Sequence, residues 1–190
     1  MKSGVIFDLD GTLTVPYLDF DAIRDELGLP PGPILEALES LGDAERACAR
    51  HVLDRHERQA AEDSTLQPGA ANTILRLQER GLRIGVLTRN TRRWTRYVLD
   101  KHAIAVDAIR CRDDGTVKPS PEPVLRLCAD LGVDPKRTWL VGDHLFDILA
   151  GAGAGTRTVL MLGDREAPDY AVRADHVISR LAELLDWVEA

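Results

Sequence analysis

Residues 4–12 read GVIFDLDGT, an unbroken apolar run that ends in two acids, a glycine and a threonine. A short run of this composition predicts a buried β-strand, and the polar residues behind it predict where that strand ends. Similar apolar runs recur further along the chain. They lie at residues 82–88, 138–143 and 157–162. The first run is therefore expected to be one of several strands in a sheet.

The segments between these runs have the spacing of amphipathic helices. They lie at residues 69–81, 91–102, 120–132 and 146–151. Strands that alternate with helices predict a parallel sheet with helical crossovers, and continuous hydrophobicity in the strands indicates that both faces are covered. We therefore expect an α/β fold, a Rossmann-like three-layer sandwich. The tail is expected to add a short strand and a closing helix with one apolar stripe, formed by Leu181, Leu184, Leu185 and Val188.

Residues 15–67 break this rhythm, because they contain three helical patterns and no strand between them. Proline and glycine residues separate the patterns. A segment of this size is shorter than most chains that fold alone. We predict a small α-helical cap at 15–67, inserted after the first strand of a core formed by residues 1–14 and 68–190.

Composition excludes several classes of protein. The chain has 190 residues, 44% of them hydrophobic, which is enough for one substantial core and a small module. A net charge of -7 argues against nucleic acid as a partner. No apolar run approaches the length of a membrane span, so no membrane partner is expected. Three cysteines without CxxC spacing and no export signal after Met1 predict a cytoplasmic protein.

Two acids, Asp8 and Asp10, follow the first strand directly. Ligands of parallel α/β sheets bind at the carboxyl ends of the strands, so a reaction site is expected there. Adjacent carboxylates repel each other unless a cation or a proton intervenes, and Mg²⁺ prefers oxygen ligands. A calcium loop is excluded, because placing Gly11 at its sixth position would put Ile6 and Tyr17 where ligands are required.

A second acidic pair, Asp143 and Asp147, follows the strand at 138–143. Acidic residues near a helix start are common, so this pair alone is weak support for a site. Thr88 ends another strand, and Lys118 precedes Pro119. A hydroxyl and an ammonium are groups that stabilise a transferring phosphoryl group.

Four segments together resemble the ordered motifs of the haloacid dehalogenase-like superfamily. They are DLDGT at 8–12, LTRN at 87–90, KPSPEP at 118–123 and GDHLFD at 142–147. With the turn GAGAGTRTV at 151–159, the core resembles the phosphoglycolate phosphatase-like branch. The resemblance implies a phosphatase that acts on a small phosphorylated metabolite.

The resemblance also implies roles for individual residues. Asp8 would be the nucleophile, and Asp10 would be the acid and base of the two half-reactions. Mg²⁺ would be held by Asp8, the backbone carbonyl of Asp10, Asp143 and Asp147, the last through water or by orienting Lys118. Thr88 and Lys118 would bind phosphoryl oxygens, and the motif LTRN adds Arg89 and Asn90 as predicted substrate-binding residues.

Two alternatives to a phosphatase stay open: a phosphosugar mutase with the same phospho-aspartate, and a catalytically silent binding protein. A dehalogenase is disfavoured, because the members of the superfamily that break carbon–halogen bonds lack an acid at the position of Asp10. The substrate and the oligomeric state are not predicted.

Arginines crowd the start of the helix that follows Thr88. They are Arg89, Arg92, Arg93 and Arg96. Cations are mildly unfavourable at a helix N-terminus, so we expect a compensating anion near some of them. Arg89 either faces a second acidic group of the substrate or is a solvated surface arginine, and the sequence favours neither interpretation.

Overall fold

A computed structural model of the protein describes residues 2–189. It contains one sheet whose spatial strand order is β3-β2-β1-β4-β5-β6, with every pairing parallel. The strands have the following bounds: β1 Lys2–Phe7, β2 Arg83–Leu87, β3 Ala108–Arg110, β4 Val133–Gly142, β5 Arg157–Met161 and β6 His176–Ile178.

The central strand β1 shows that both faces of the sheet are covered. Val5, Ile6 and Phe7 are all fully buried, although successive side chains of a strand point to opposite faces. In register, Ile6 lies between Gly85 of β2 and Leu140 of β4. The predicted α/β fold, a Rossmann-like sandwich with a parallel sheet, is confirmed.

Four helices connect the strands of this core. They are α4 Ala70–Glu79, α5 Arg92–Lys101, α6 Glu122–Leu131 and α7 Leu145–Ala154. Helix α6 ends at Gly132 and α7 at Gly155, each in the left-handed conformation that terminates a helix. Val124 and Leu127 of α6 pack with Ile6 and Leu140 of the sheet in the apolar core.

Residues 17–64 form a second compact unit of three helices, α1 Phe20–Leu27, α2 Ile34–Glu39 and α3 Asp43–Asp63. Their buried apolar residues form one small core. It contains Ile23, Ile34, Leu38, Ala49 and Leu53. The side chain of Asp19 caps α1 by accepting a hydrogen bond from the Ala22 amide at 2.9 Å.

The compact units divide at residues 16/17 and 64/65, whereas the sequence predicts an insertion from 15 to 67. The reason is backbone hydrogen bonding at the two connections. The Val15 amide donates to the Thr65 carbonyl at 2.9 Å, and the Gln67 amide donates to the Leu13 carbonyl at 2.8 Å. These bonds join residues 15–16 and 65–67 to the larger unit.

Two elements differ from the sequence-based expectation. Strand β3 was not predicted, since its three residues are only half-buried at the edge of the sheet. The expected closing helix is a 3₁₀ helix, Leu181–Asp186, in which Leu181 and Leu184 are buried while Leu185 is half-buried. Between residues 2 and 189, no helix has both the length and the apolar character that a membrane span requires.

Candidate active site

The nucleophile predicted from the sequence, Asp8, lies directly behind β1 next to a buried lysine. The Lys118 Nζ atom is 2.9 Å from Asp8 Oδ1, and the side chains are 2% and 13% exposed. The Leu9 amide donates to the same Asp8 oxygen at 2.8 Å. One oxygen of Asp8 is therefore held by two donors.

Asp147 is the second partner of Lys118. Its Oδ1 atom accepts a hydrogen bond from Lys118 Nζ at 2.6 Å, and its Oδ2 atom accepts one from the His144 amide at 3.1 Å. A β-carbon added to Gly142 would lie 2.0 Å from the Asp147 Cγ atom. Glycine at the end of β4 therefore makes room for a carboxylate with both oxygens occupied by donors.

Asp143 lies on the other side of the acidic cluster, between Gly11 and Arg165. A β-carbon added to Gly11 would be 2.4 Å from Asp143 Oδ2, and Gly11 has a φ of 82°. The Arg165 guanidinium is 3.2 Å from the same oxygen. It also donates to the main-chain carbonyls of Asp143, Met161 and Leu162.

The remaining predicted residues lie around Asp10. The Asn90 side-chain amide donates to Asp10 Oδ2 at 3.2 Å, which links the loops behind β1 and β2. The Thr88 hydroxyl accepts a hydrogen bond from the Asn90 amide at 3.0 Å. Thr88 and Asn90 are both buried, so their polar groups are fixed close to the acidic end of the sheet.

Three carboxylates crowd this end of the sheet. Oxygen atoms of Asp8, Asp143 and Asp147 lie within 4.8 Å of one another. Burial raises the pKa of Asp8 well above its ordinary value, Lys118 opposes the rise, and Asp147 and Asp143 add to it. Burial and the charge of Asp147 raise the pKa of Asp143 to about 6, against the opposing charges of Arg165 and Lys118.

The pKa values of Lys118 and Asp10 are raised for different reasons. Burial disfavours the charge of the Lys118 ammonium, but the attraction of Asp147 and Asp8 outweighs it and raises its pKa. Burial raises the pKa of Asp10, and the hydrogen bond from Asn90 opposes this rise. Lys118 is thus held as a cation, while burial shifts Asp10 toward its protonated form relative to a free carboxyl.

The donor set fits a hard divalent cation. Asp8, Asp143 and Asp147 lie so close that they repel one another, as the raised pKa values of Asp8 and Asp143 show, and a bound cation would relieve this repulsion. All the side-chain donors of this cluster are oxygen atoms, as Mg²⁺ prefers. In the turn after β1, which carries Asp8 and Asp10, the buried Thr12 Oγ1 atom has no hydrogen-bond partner among residues 2–189.

The arginines behind β2 separate into different environments. Arg89 donates to the Lys118 carbonyl, and its guanidinium lies 4.8 Å from the centre of the Phe146 ring. Arg92 pairs with Asp114, and Arg93 lies over the Trp94 ring. Of these three, Arg89 contacts the Lys118 loop, whereas Arg92 pairs with Asp114.

The structure brings together the acids and the lysine that the sequence singles out. Asp8, Asp147 and Lys118 are in direct contact, Asp143 joins the cluster, and Asn90 holds Asp10. The sequence analysis missed Arg165, which lies in the loop after β5 outside all four motifs. Its contact with Asp143 depends on the fold, and its spacing to the nearest motif carries no signal.

Comparisons with known proteins agree with this geometry. The family model described as haloacid dehalogenase-like hydrolase matches residues 2–155. A haloacid dehalogenase-like hydrolase domain-containing protein of Arabidopsis thaliana is 31% identical, over 98% of this chain and 83% of the relative. An N-acetylmuramic acid 6-phosphate phosphatase of Pseudomonas aeruginosa is 30% identical, over 97% of this chain and 94% of the relative.

A solved structure shows the same fold. A hydrolase from Pseudomonas syringae superposes with a TM-score of 0.82 at 21% identity, and the match covers 100% of both chains. The family match, the named relatives and the acidic site at the carboxyl end of the sheet lead to one conclusion. The chain belongs to the haloacid dehalogenase-like hydrolase family and is an enzyme of its phosphatase class.

Proposed function

We propose that this enzyme is a magnesium-dependent phosphatase that hydrolyses a small phosphorylated metabolite through a phospho-aspartate on Asp8. The observation that carries the proposal is the Lys118 ammonium, buried 2.9 Å from Asp8 Oδ1. Asp10, two residues further along, accepts a hydrogen bond from Asn90, and burial raises its pKa. A nucleophile, its counterion and an acid therefore adjoin one another.

In the first half-reaction, a carboxylate oxygen of Asp8 forms a bond to phosphorus while the bond from phosphorus to the leaving oxygen breaks. Asp10 donates its proton to that leaving oxygen, which departs as an alcohol. The raised pKa of Asp10 supports this role, because an acid must still hold its proton near neutral pH. The product of this step is an acyl phosphate on Asp8.

In the second half-reaction, water attacks the phosphorus of the acyl phosphate. Asp10, now a carboxylate, takes the proton from this water, and the bond between phosphorus and the Asp8 oxygen breaks. Inorganic phosphate is released, and Asp8 and Asp10 return to their starting forms.

Other residues stabilise the charge that develops on the phosphoryl oxygens. Lys118 supplies a positive charge, the Thr88 hydroxyl a hydrogen-bond donor, and Asn90 fixes Asp10. Both oxygens of Asp147 are occupied by donors, which supports a role in orienting Lys118 rather than direct metal binding. Asp8, Asp143 and the backbone carbonyl of Asp10 would hold Mg²⁺, which when bound neutralises phosphate charge.

The nucleophile is tested by Asp8→Asn, because an amide has nearly the same shape but does not attack phosphorus. We expect phosphate release to fall by about 10⁴-fold or more. Asp100→Asn, on an exposed position of α5, removes the same charge and should keep full activity. Steady-state turnover by Asp8→Asn at the parent rate would reject Asp8 as the nucleophile.

Magnesium dependence is tested by chelation. We expect EDTA to abolish phosphate release by the parent enzyme and excess Mg²⁺ to restore it, since carboxylate oxygens of Asp8, Asp143 and Asp147 lie within 4.8 Å of one another. Undiminished activity after exhaustive chelation and dialysis would reject the metal requirement.

The substrate is proposed to carry a second acidic group besides the phosphate that is cleaved. N-acetylmuramic acid 6-phosphate, which the Pseudomonas aeruginosa relative is named for, has a carboxylate in addition to its phosphate. Arg89 lies against the Lys118 loop and Phe146, and arginine binds carboxylates and phosphates through paired hydrogen bonds. Arg89 is therefore the proposed residue that binds this second group.

The measurement is kcat/KM for a doubly anionic phosphoester relative to p-nitrophenyl phosphate. Arg89→Ala should lower this ratio by about 10- to 100-fold, since a hydrogen bond to a charged group contributes ~1.5–3 kcal/mol. Arg92→Ala is the matched control, because Arg92 is paired with Asp114. An equal ratio in the parent and Arg89→Ala would reject this role.

The cap function and the location of the enzyme stay predictions. The helical unit at residues 17–64 follows β1 in the chain, which supports its assignment as a cap that selects substrates. Exchange of this unit for that of the Pseudomonas aeruginosa relative should change the preferred phosphoester, and an unchanged preference would reject the assignment. A cytoplasmic location is checked by cell fractionation.

A further inference from the structure

Arg165 is built into the acidic cluster, although no motif contains it. Its Nε atom donates to the Leu162 carbonyl at 3.1 Å, and an Nη2 donor reaches the Met161 carbonyl at 2.9 Å. These carbonyls belong to the last residue of β5 and the residue after it, so the guanidinium is held in place independently of the Asp143 carboxylate. From this position it contacts Asp143 Oδ2 at 3.2 Å.

The carboxylate of Asp143 is restricted on two sides. Arg165 occupies the vicinity of Oδ2, and the backbone of Gly11 lies so close that a β-carbon there would be 2.4 Å from Oδ2 and 2.9 Å from Oδ1. Rotation of this carboxylate is therefore limited by packing as well as by charge. Only Oδ1 is without a contact to Arg165.

Oxygen atoms of Asp8 and Asp147 are also occupied by donors from the protein. One oxygen of Asp8 is bound by Lys118 and the Leu9 amide, and both oxygens of Asp147 accept hydrogen bonds. Mg²⁺ is small and requires near-octahedral coordination, whereas Ca²⁺ takes six to eight oxygens and accepts carboxylates in bidentate mode. Asp8 and Asp143, each with one oxygen bound by protein donors, therefore disfavour the larger ion.

We propose that Arg165 is a positioning residue for metal selectivity: it occupies one oxygen of Asp143, so that Asp143 binds the ion through a single oxygen and Mg²⁺ is preferred over Ca²⁺. This inference rests on the proposed metal site. It concerns the choice of ion, which the phosphatase mechanism leaves open.

The test is calorimetric titration of the full chain, freed of metal by chelation, with Mg²⁺ and Ca²⁺ separately and without substrate. Both ions carry the same charge, so the general electrostatic effect of losing Arg165 cancels in the ratio of their dissociation constants. We expect Arg165→Ala to shift this ratio toward Ca²⁺ by about tenfold, since changes in groups that orient metal ligands alter affinity by about 10–100-fold.

Two variants complete the experiment. Arg173→Ala removes an exposed positive charge eight positions further along and should keep the ratio of the parent. Arg165→Lys keeps the charge but loses the planar fork that binds the two carbonyls, so it should also shift the ratio toward Ca²⁺. It serves in place of Arg165→Ala if that variant is unstable.

The outcomes separate this inference from the proposed function. A parent protein that binds neither ion would reject the metal site itself, and with it the role of Arg165. A parent that binds both ions, with the same ratio in Arg165→Ala and Arg165→Lys, would reject only the role of Arg165. A shifted ratio in these variants and an unchanged one in Arg173→Ala would support it.

Discussion

The acidic end of the sheet and the helical unit at residues 17–64 both contain ion pairs, but the pairs of Lys118 in the first are buried whereas the pairs of Glu39 in the second are exposed. Lys118 and Asp147 form a pair with side chains 2% and 1% exposed. In the helical unit, Arg50 and Glu39 form a pair with side chains 62% and 63% exposed. The comparison separates charges that the fold has removed from water from charges that remain in it.

The difference teaches where a charge matters for stability. Loss of one partner of a buried pair leaves an unpaired charge without solvent, which costs about 3–5 kcal/mol. Exposed pairs are weakened by water and salt, and they contribute about 0–1 kcal/mol. The same substitution should therefore have unequal effects in the two regions.

The largest effect is expected for Lys118→Met, which keeps an unbranched side chain only one atom shorter and removes its charge. In chelator at pH 7.5 we expect the free energy of unfolding to fall by about 3–5 kcal/mol, because Asp8 and Asp147 lose their shared cation. Urea unfolding measures this change. Lys136→Met, at an exposed position, is the control and should stay within about 0.5 kcal/mol of the parent.

An effect of opposite sign is expected for Asp143→Asn. The pKa of Asp143 is about 6 in the folded protein and 3.8 for a free side chain, so the fold binds this proton more tightly than the unfolded chain. Ionisation therefore destabilises the metal-free fold increasingly between about pH 4 and pH 6, and by a constant amount above that range. Removing the charge should stabilise the metal-free protein by about 1–3 kcal/mol at pH 7.5.

The measurement is thermal unfolding of the parent and Asp143→Asn in chelator, at about pH 3 and at pH 7.5. The two proteins should have nearly the same stability at about pH 3, where the parent carboxyl is mainly protonated in both states. Added Mg²⁺ should stabilise the parent more than the variant, because Asp143 is a proposed ligand. A variant less stable than the parent in chelator at pH 7.5 would contradict the prediction.

The smallest effects are expected in the helical unit, where Arg46 and Arg50 both pair with Glu39. Arg50→Ala should change the free energy of unfolding by less than about 0.5 kcal/mol. Arg46 is 26% exposed and also donates to the Leu41 carbonyl, so Arg46→Ala should cost about 1 kcal/mol. Equal effects of both changes would show that exposure does not set their contributions.

Much of the fold follows from local sequence patterns. The runs that became β1, β2, β4 and β5 are continuously apolar because both faces of the sheet are covered, and this pattern is visible without coordinates. Strand β3 could not be predicted in this way, since three half-buried residues at a sheet edge are too few to form a recognisable apolar run or an alternating pattern. The last turn also escapes prediction, because the spacing of Leu181 and Leu184 suits both a 3₁₀ and an α-helix.

The site divides in the same way. Asp8 and Asp147 are found from motifs that follow β1 and β4, where the order of a parallel sheet brings them to one edge, and Lys118 is found from a motif in the loop before α6. Arg165 cannot be found in this way, because its contact with Asp143 arises from a loop that folds back on β5. The partner of Arg92 was equally hidden, since pairing with Asp114 depends on the position of a 3₁₀ turn.

The contact of Gly142 with Asp147 has a consequence for how the protein can diverge. A β-carbon at position 142 would lie 2.0 Å from one carbon of Asp147 and 2.3 Å from another, so neither position can vary without regard to the other. The two form an epistatic pair, in which a residue without any reactive group is as restricted as the acid beside it. In a library randomised at both positions and selected for folding alone, residues other than glycine at 142 should be recovered with small residues at 147. Selection of the same library for activity as well as folding should recover glycine at 142 together with aspartate at 147.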